Sequence, residues 1–100
     1  MKKKYNVVVI EDDRIISELL KNKINESDDF LVVNTYENPV LFLNDKIKFD
    51  IILLDIVMPE MNGLDAIDPI LTKYPDALIV MNTIKDDQET IFTALKRGAL

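Results

Sequence analysis

Apolar residues recur along this chain in two alternating rhythms. Tyr5–Ile10 is mostly Val and Ile and runs into Glu11-Asp12-Asp13, which predicts a strand buried on both faces. Arg14–Ile24 has helical spacing: Ile16, Leu19, Leu20 and Ile24 form an inward stripe with Ile15 beside it, and Glu18, Lys21 and Lys23 face out. Phe30–Thr35 is a second, more polar strand suited to a sheet edge. Asn38-Pro39 predicts a helix start, with Asn as N-cap and Pro at the first helical position, and the helix stops near Asn44. Phe49–Asp55 is a third strand. Its run Ile51-Ile52-Leu53-Leu54 is too apolar for a surface, yet it ends on a carboxylate.

A loop with Pro59 and an Asn62-Gly63 turn follow. Leu64, Ile67, Ile70, Leu71 and Tyr74 then recur at helical spacing, interrupted by Pro69, which lacks an N–H and crowds the carbonyl of Asp65. A late start would use Asp68 as cap. An early start near Leu64, with a bend or a frayed first turn, is the preferred reading. Pro75 ends this helix, and Ala77–Asn82 is a fourth strand. Asp86 and Glu89 resemble a capping box for a helix over Thr90–Arg97, with Gly98 at its C′ position.

This alternation predicts an α/β fold with a doubly wound parallel sheet and helices on both faces. One hundred residues make one domain, 1–100, able to bury roughly 65% of its unfolded surface. The absence of Cys excludes a disulfide frame and a thiolate metal site and agrees with a cytoplasmic setting. No apolar run reaches the ~18 residues of a membrane span. Val7–Ile10 is too short for the apolar core of a signal peptide. A net charge of −6 argues against direct nucleic-acid binding, and Lys2-Lys3-Lys4 reads as a solvated end.

The chemistry gathers at strand ends. Strand one ends in Glu11-Asp12, strand three in Asp55 and strand four in Thr83. Asp13 reads as the cap of the first helix. Asp50, Asp65, Asp68, Asp76 and Asp87 read as surface or capping residues. Where strands one and three are neighbours, Glu11, Asp12 and Asp55 converge at the crevice outside the carboxyl ends of the sheet. Two like charges ~4 Å apart at an effective dielectric of ~20 repel by about 4 kcal/mol. A shared proton or a divalent cation offsets this. With no His or Cys, all ligands are oxygen, which suits a hard ion such as Mg²⁺.

The segments VVVIEDD, LLDIVMPEMNGLDAI, LIVMNT and ALKRGAL resemble the receiver domain of two-component response regulators, from about Asn6 to Leu100. The resemblance implies a flavodoxin-like sheet of order 2-1-3-4. It implies that Asp55 accepts a phosphoryl group from a sensor histidine kinase, that Asp12 holds Mg²⁺ directly and Glu11 largely through water, and that the Val57 backbone carbonyl is a further ligand. Thr83 resembles the hydroxyl that moves to the phosphoryl oxygen. The module is then a switch acting on an output domain or partner, not a turnover enzyme. The Tyr74-Pro75-Asp76 helix exit and the Gly-Ala-Leu ending resemble receivers joined to helix-turn-helix DNA-binding domains.

The chain departs from the family in three places. It stops at Leu100, before the family's fifth strand and helix and the lysine they carry, and Lys85 is no substitute. The expectation is a C-terminally truncated receiver whose fourth strand is an exposed apolar edge, prone to swapping or homo-oligomer formation. Asn82 is polar where apolar residues are usual, and carries no functional reading. Ile84 follows Thr83, where the family has a small residue. Two other functions fit the residues less well. A haloacid-dehalogenase-like phosphatase or phosphotransferase wants an acid two residues after its nucleophile, where Val57 stands. A flavodoxin-like cofactor binder wants a Ser/Thr/Gly phosphate loop where Glu11-Asp12-Asp13 stands. The branched Ile84 is expected to narrow access to Asp55. Ile84→Ala, in a chain extended past Leu100, should speed loss of an Asp55 phosphoryl group; equal dephosphorylation rates would discard the idea.

Overall fold

The computed structural model describes residues 3–55 and 63–82. Val57, Asn62, Thr83, Ile84 and the helix expected over Thr90–Arg97 lie outside the described residues. The elements are β1 (Tyr5–Ile10), α1 (Arg14–Asn25), β2 (Phe30–Tyr36), α2 (Pro39–Leu43), β3 (Ile51–Asp55), α3 (Gly63–Lys73) and β4 (Leu78–Asn82). All described strand pairs are parallel, in the order β2-β1-β3-β4 that the family resemblance implies. β2 forms one edge of the sheet, as its polar composition suggested. Opposite Val7 and Val8, β2 carries an extra residue, Val33, which breaks the register.

Helices pack on both faces of the sheet. Val8, Ile10, Ile52, Leu54 and Ile79 pack with α2 and α3 through Phe42, Ala66, Ile67 and Ile70. Val7, Val9 and Val32 pack on the opposite face with Leu20 and Ile24 of α1. Successive β1 side chains therefore enter different layers, and Val7–Ile10 are all buried, as an unbroken Val/Ile run requires.

Local chemistry sets the element ends. Asp13 caps α1, its Oδ1 accepting from the backbone N–H groups of Ile15 (2.9 Å) and Ile16 (3.2 Å). Asn38 caps α2 by accepting from Leu41 N (2.9 Å), with Pro39 at the start of the helix. α3 starts early, at Gly63, and holds Pro69 inside it. β3 starts at Ile51, so Phe49 is not a strand residue. Its ring instead packs against Phe42 (5.5 Å) and Tyr74 (4.9 Å). Asp50, on the surface as expected, also ties β3 to β1: its N–H donates to Asn6 O (2.8 Å) and its Oδ2 accepts from Asn6 N (2.7 Å).

The expected α1 stripe is partly wrong. Ile15 (74% exposed), Ile16 (42%) and Leu19 (64%) are not core residues. Ser17 is buried, and Leu20, Lys21 and Ile24 are half-buried. These four also recur at i, i+3, i+4 and i+7, so they make an equally regular helix face. The apolar set on α1 is wider than the face that the sheet accepts, and hydrophobicity alone could not choose the phase.

α2 has only five residues, far short of the ~12–15 at which an isolated helix becomes even marginal. Tertiary contacts hold it. Phe42 is fully buried, edge-on to Tyr36 (5.4 Å) and Phe49 and tilted against Tyr74 (5.6 Å). The Lys73 ammonium donates to the carbonyls of Leu43 and Asp45, at the C-terminal end of α2. Tyr36 Oη donates to Asp45 Oδ2 (2.7 Å), which holds the Asp45 carboxyl below its usual range. Phe42→Ala should cost about 3–5 kcal/mol of unfolding free energy in urea titrations. A loss under about 1 kcal/mol would show that the aromatic cluster does not hold α2.

Candidate functional site

Parallel pairing of β1 with β3 builds the site. Ile10 is opposite Leu54, so the residues that follow, Glu11-Asp12 and Asp55, emerge side by side at the carboxyl edge of the sheet. Glu11 is fixed by its own backbone, whose N–H donates to Tyr36 O (2.9 Å) and extends the β1–β2 ladder by one step. Carboxylate oxygens of Glu11, Asp12 and Asp55 lie within 4.8 Å of one another. Glu11 is buried, Asp55 half-buried and Asp12 exposed, so the cluster runs from the protein interior to solvent.

Glu11 carries the electrostatic burden. Its Oε2 is buried and has no hydrogen-bond partner. Burial raises its pKa to about 8, with further upward pushes from a side-chain hydrogen bond to Asp55 and from the charges of Asp55, Asp12 and Asp13. Near neutral pH the free protein therefore keeps Glu11 protonated, one of the two ways of relieving like charges. The other way also fits. Three carboxylates open to water on one side, with an orphaned buried oxygen among them, form an oxygen donor set for a hard divalent cation that keeps several waters.

Of the residues singled out in the sequence, Glu11, Asp12 and Asp55 are brought together. Val57 and Thr83 lie outside the described residues. Asp13 is a helix cap, as expected, though its charge still reaches Glu11. Sequence reading missed a polar cleft of about 350 Å³ beside the site, lined by Glu11, Arg14, Ser17, Glu18, Thr35, Tyr36 and Glu37. Arg14 Nε bridges it to Glu37 Oε1 at 3.1 Å. Only the β1–β2 pairing unites residues so distant in the chain, and no local motif signals it.

A family model described as the response regulator receiver domain matches residues 7–100. The chain belongs to the response regulator receiver family. This receiver is 36% identical over 95 residues to the chemotaxis protein CheY of Listeria monocytogenes, covering 93% of this chain and 79% of that one. It is 33% identical over 98 residues to the transcriptional regulatory protein DegU of Brevibacillus brevis, spanning 96% of this chain but 42% of DegU. Among solved structures, the response regulator domain of Thermotoga maritima CheB matches with a TM-score of 0.85 at 27% identity, covering 98% of this receiver and 75% of that chain. The match favours a receiver of two-component signalling over a haloacid-dehalogenase-like enzyme or a flavodoxin-like cofactor binder. Among the described residues no helix is long and apolar enough to cross a membrane.

The Glu11 shift has a sign that can be tested. The folded state keeps a proton that the unfolded chain, with its ordinary carboxyl near 4.5, has already lost. The folded form binds more protons between pH 4.5 and about 8, so stability without metal falls as pH rises through that window and levels off above it. Glu11→Gln should flatten this part of the profile in thermal melts taken across the window without divalent ions. An unchanged slope would show that Glu11 is not the group responsible.

Proposed function

We propose that this receiver is a phosphorylation-dependent switch in which Asp55 accepts the phosphoryl group of a sensor histidine kinase. The observation that carries the reading is the convergence of Glu11, Asp12 and Asp55 carboxylate oxygens within 4.8 Å at the end of a buried parallel strand pair. In the proposed step an Asp55 carboxylate oxygen forms a bond to phosphorus. The bond from phosphorus to the donor imidazole breaks, and that ring keeps the electron pair and is reprotonated. The protein's contribution is positioning and charge neutralisation, because phosphoryl transfer asks for little else. Asp12 and Asp55 would ligate Mg²⁺, with Glu11 holding its waters and the Val57 carbonyl adding a ligand. When bound, Mg²⁺ supplies neutralisation of the phosphoryl oxygens and lowers the cost of packing the carboxylates together. Thr83 is proposed to bond a phosphoryl oxygen after transfer and so to signal the change.

The whole of residues 1–100 is read as receiver sequence, acting in the cytoplasm. DegU is a transcriptional regulator, which supports a DNA-binding output domain as the switched partner. The net charge of −6 speaks against nucleic-acid contact by these residues themselves. The modification is of the protein's own side chain, so no external substrate is turned over.

Incubation with Mg²⁺ and a small phosphodonor, or with beryllofluoride, should place one adduct on Asp55, located by mass spectrometry or by NMR shifts around β3. Asp55→Asn should abolish it. Asp12→Asn should weaken Mg²⁺ binding roughly tenfold or more, since loss of even an outer partner of a metal ligand costs 10–100-fold. An adduct that persists in Asp55→Asn, or none in the parent protein with Mg²⁺ present, would remove this reading.

A further inference from the structure

The opposite end of the sheet carries a second surface that the phosphorylation chemistry does not use. Two adjoining depressions of about 370 Å³ each lie where the α2–β3 loop meets the α3–β4 turn. They share Ile47, Lys48, Lys73 and Tyr74 and together form one shallow groove. Its floor is half-buried and apolar, made by Ile47, Phe49, Tyr74 and Ala77, with the Phe49 and Tyr74 rings edge to face at 4.9 Å. Its rim is exposed and charged, with Lys46, Lys48 and Lys73 against the single carboxylate of Asp76.

Two features separate this rim from ordinary surface lysines. First, Lys73 is held in place. Its ammonium donates to the Leu43 and Asp45 carbonyls and sits 5.4 Å from the Tyr74 ring centroid. Those carbonyls orient the charge without neutralising it, and among the described residues no carboxylate forms a salt bridge with Lys73. Second, three lysines, Lys46, Lys48 and Lys73, outnumber the nearby carboxylates: Asp76 on the rim and Asp45, which feels the Lys73 charge while its oxygens accept from Tyr36 Oη and Lys46 N. A net positive rim on a chain of charge −6 is thus combined with an aromatic floor.

We propose that this groove docks an acidic peptide segment of a second protein, one that places an apolar side chain between its carboxylates. The apolar residue would cover the Phe49–Tyr74 floor while the carboxylates meet Lys46, Lys48 and the preorganised Lys73. An apolar centre with a charged rim is the usual anatomy of such contacts. The groove is at the amino ends of β3 and β4 and the acidic cluster at the carboxyl ends of β1 and β3, so both surfaces can be engaged at once.

The test uses the full chain and a short amidated peptide with glutamates flanking a central phenylalanine, titrated while backbone amide NMR shifts are followed. The expected result is saturable shifts confined to residues 46–49 and 73–77, weakening as salt is raised. Lys46→Gln with Lys48→Gln should lower affinity roughly five- to tenfold, the sum expected of two exposed ion pairs. Lys73→Gln should lower it further and Lys73→Arg should retain it. If Lys73→Gln unfolds α2, the Lys46/Lys48 pair decides alone. The proposal is overturned by an absence of shifts in the groove, by indifference to the Lys46/Lys48 pair, or by equal binding of the same peptide with serine at its centre. The same shifts produced by inorganic phosphate would also overturn it, in favour of a free anion.

Discussion

Everything at the acidic end of this receiver depends on the register between β1 and β3. The pairing of Ile10 with Leu54 sets Glu11 and Asp12 beside Asp55. A slip of one residue would turn every β1 side chain to the other face and take the carboxylates apart. The register is enforced from both sides, because Val8 and Ile10 fit one apolar layer and Val7 and Val9 the other. The Asn6–Asp50 exchange of hydrogen bonds pins its lower end. The apolar core thus does electrostatic work: it forces like charges together that would separate in a looser scaffold, and it removes Glu11 from water so that the repulsion is felt.

The supporting layer is built around aromatic contacts rather than long helices. α2 is too short to stand alone, and Phe42 reaches Tyr36, Phe49 and Tyr74 from it. Tyr36 also lends its backbone carbonyl to Glu11 N, so the residue that packs against Phe42 helps to fix the buried acid. The Tyr36 hydroxyl, pushed up by burial and by its bond to Asp45, stays protonated and serves as a donor. Packing and site geometry therefore meet in one residue at the end of the edge strand.

Much of this was legible in the sequence where a feature has a local physical cause. Asn38-Pro39 and Asp13 act as helix-start signals because capping needs only neighbouring backbone N–H groups. The Val/Ile runs act as buried strands because no other setting covers them. Features that depend on distant partners were not legible. The face of α1 that meets the sheet could not be chosen while Ile15, Ile16 and Leu19 looked as apolar as the residues that pack. Phe49 looked like strand because its ring partners, Phe42 and Tyr74, are far off in the chain. The strand order came from family resemblance rather than from the pattern. The convergence of Glu11, Asp12 and Asp55 follows from that order, but the orphaned Glu11 oxygen and its raised pKa depend on how distant elements bury the side chain.

The parallel pairing of β1 with β3 also sets when the acidic site can exist. Asn6 and Asp50, which tie the two strands together, are 44 residues apart, and no local contact can stand in for that closure. At usual synthesis rates of ~5–20 residues per second, Asp55 is added about 2–9 s after Asp12. Through that interval Glu11 and Asp12 belong to a chain with no Asp55 carboxylate and no strand along one edge of β1. The Glu11 carboxyl is then solvated and gives up its proton readily. The raised proton affinity of Glu11 comes chiefly from burial, so the nascent chain acquires it only once the sheet has closed around the site.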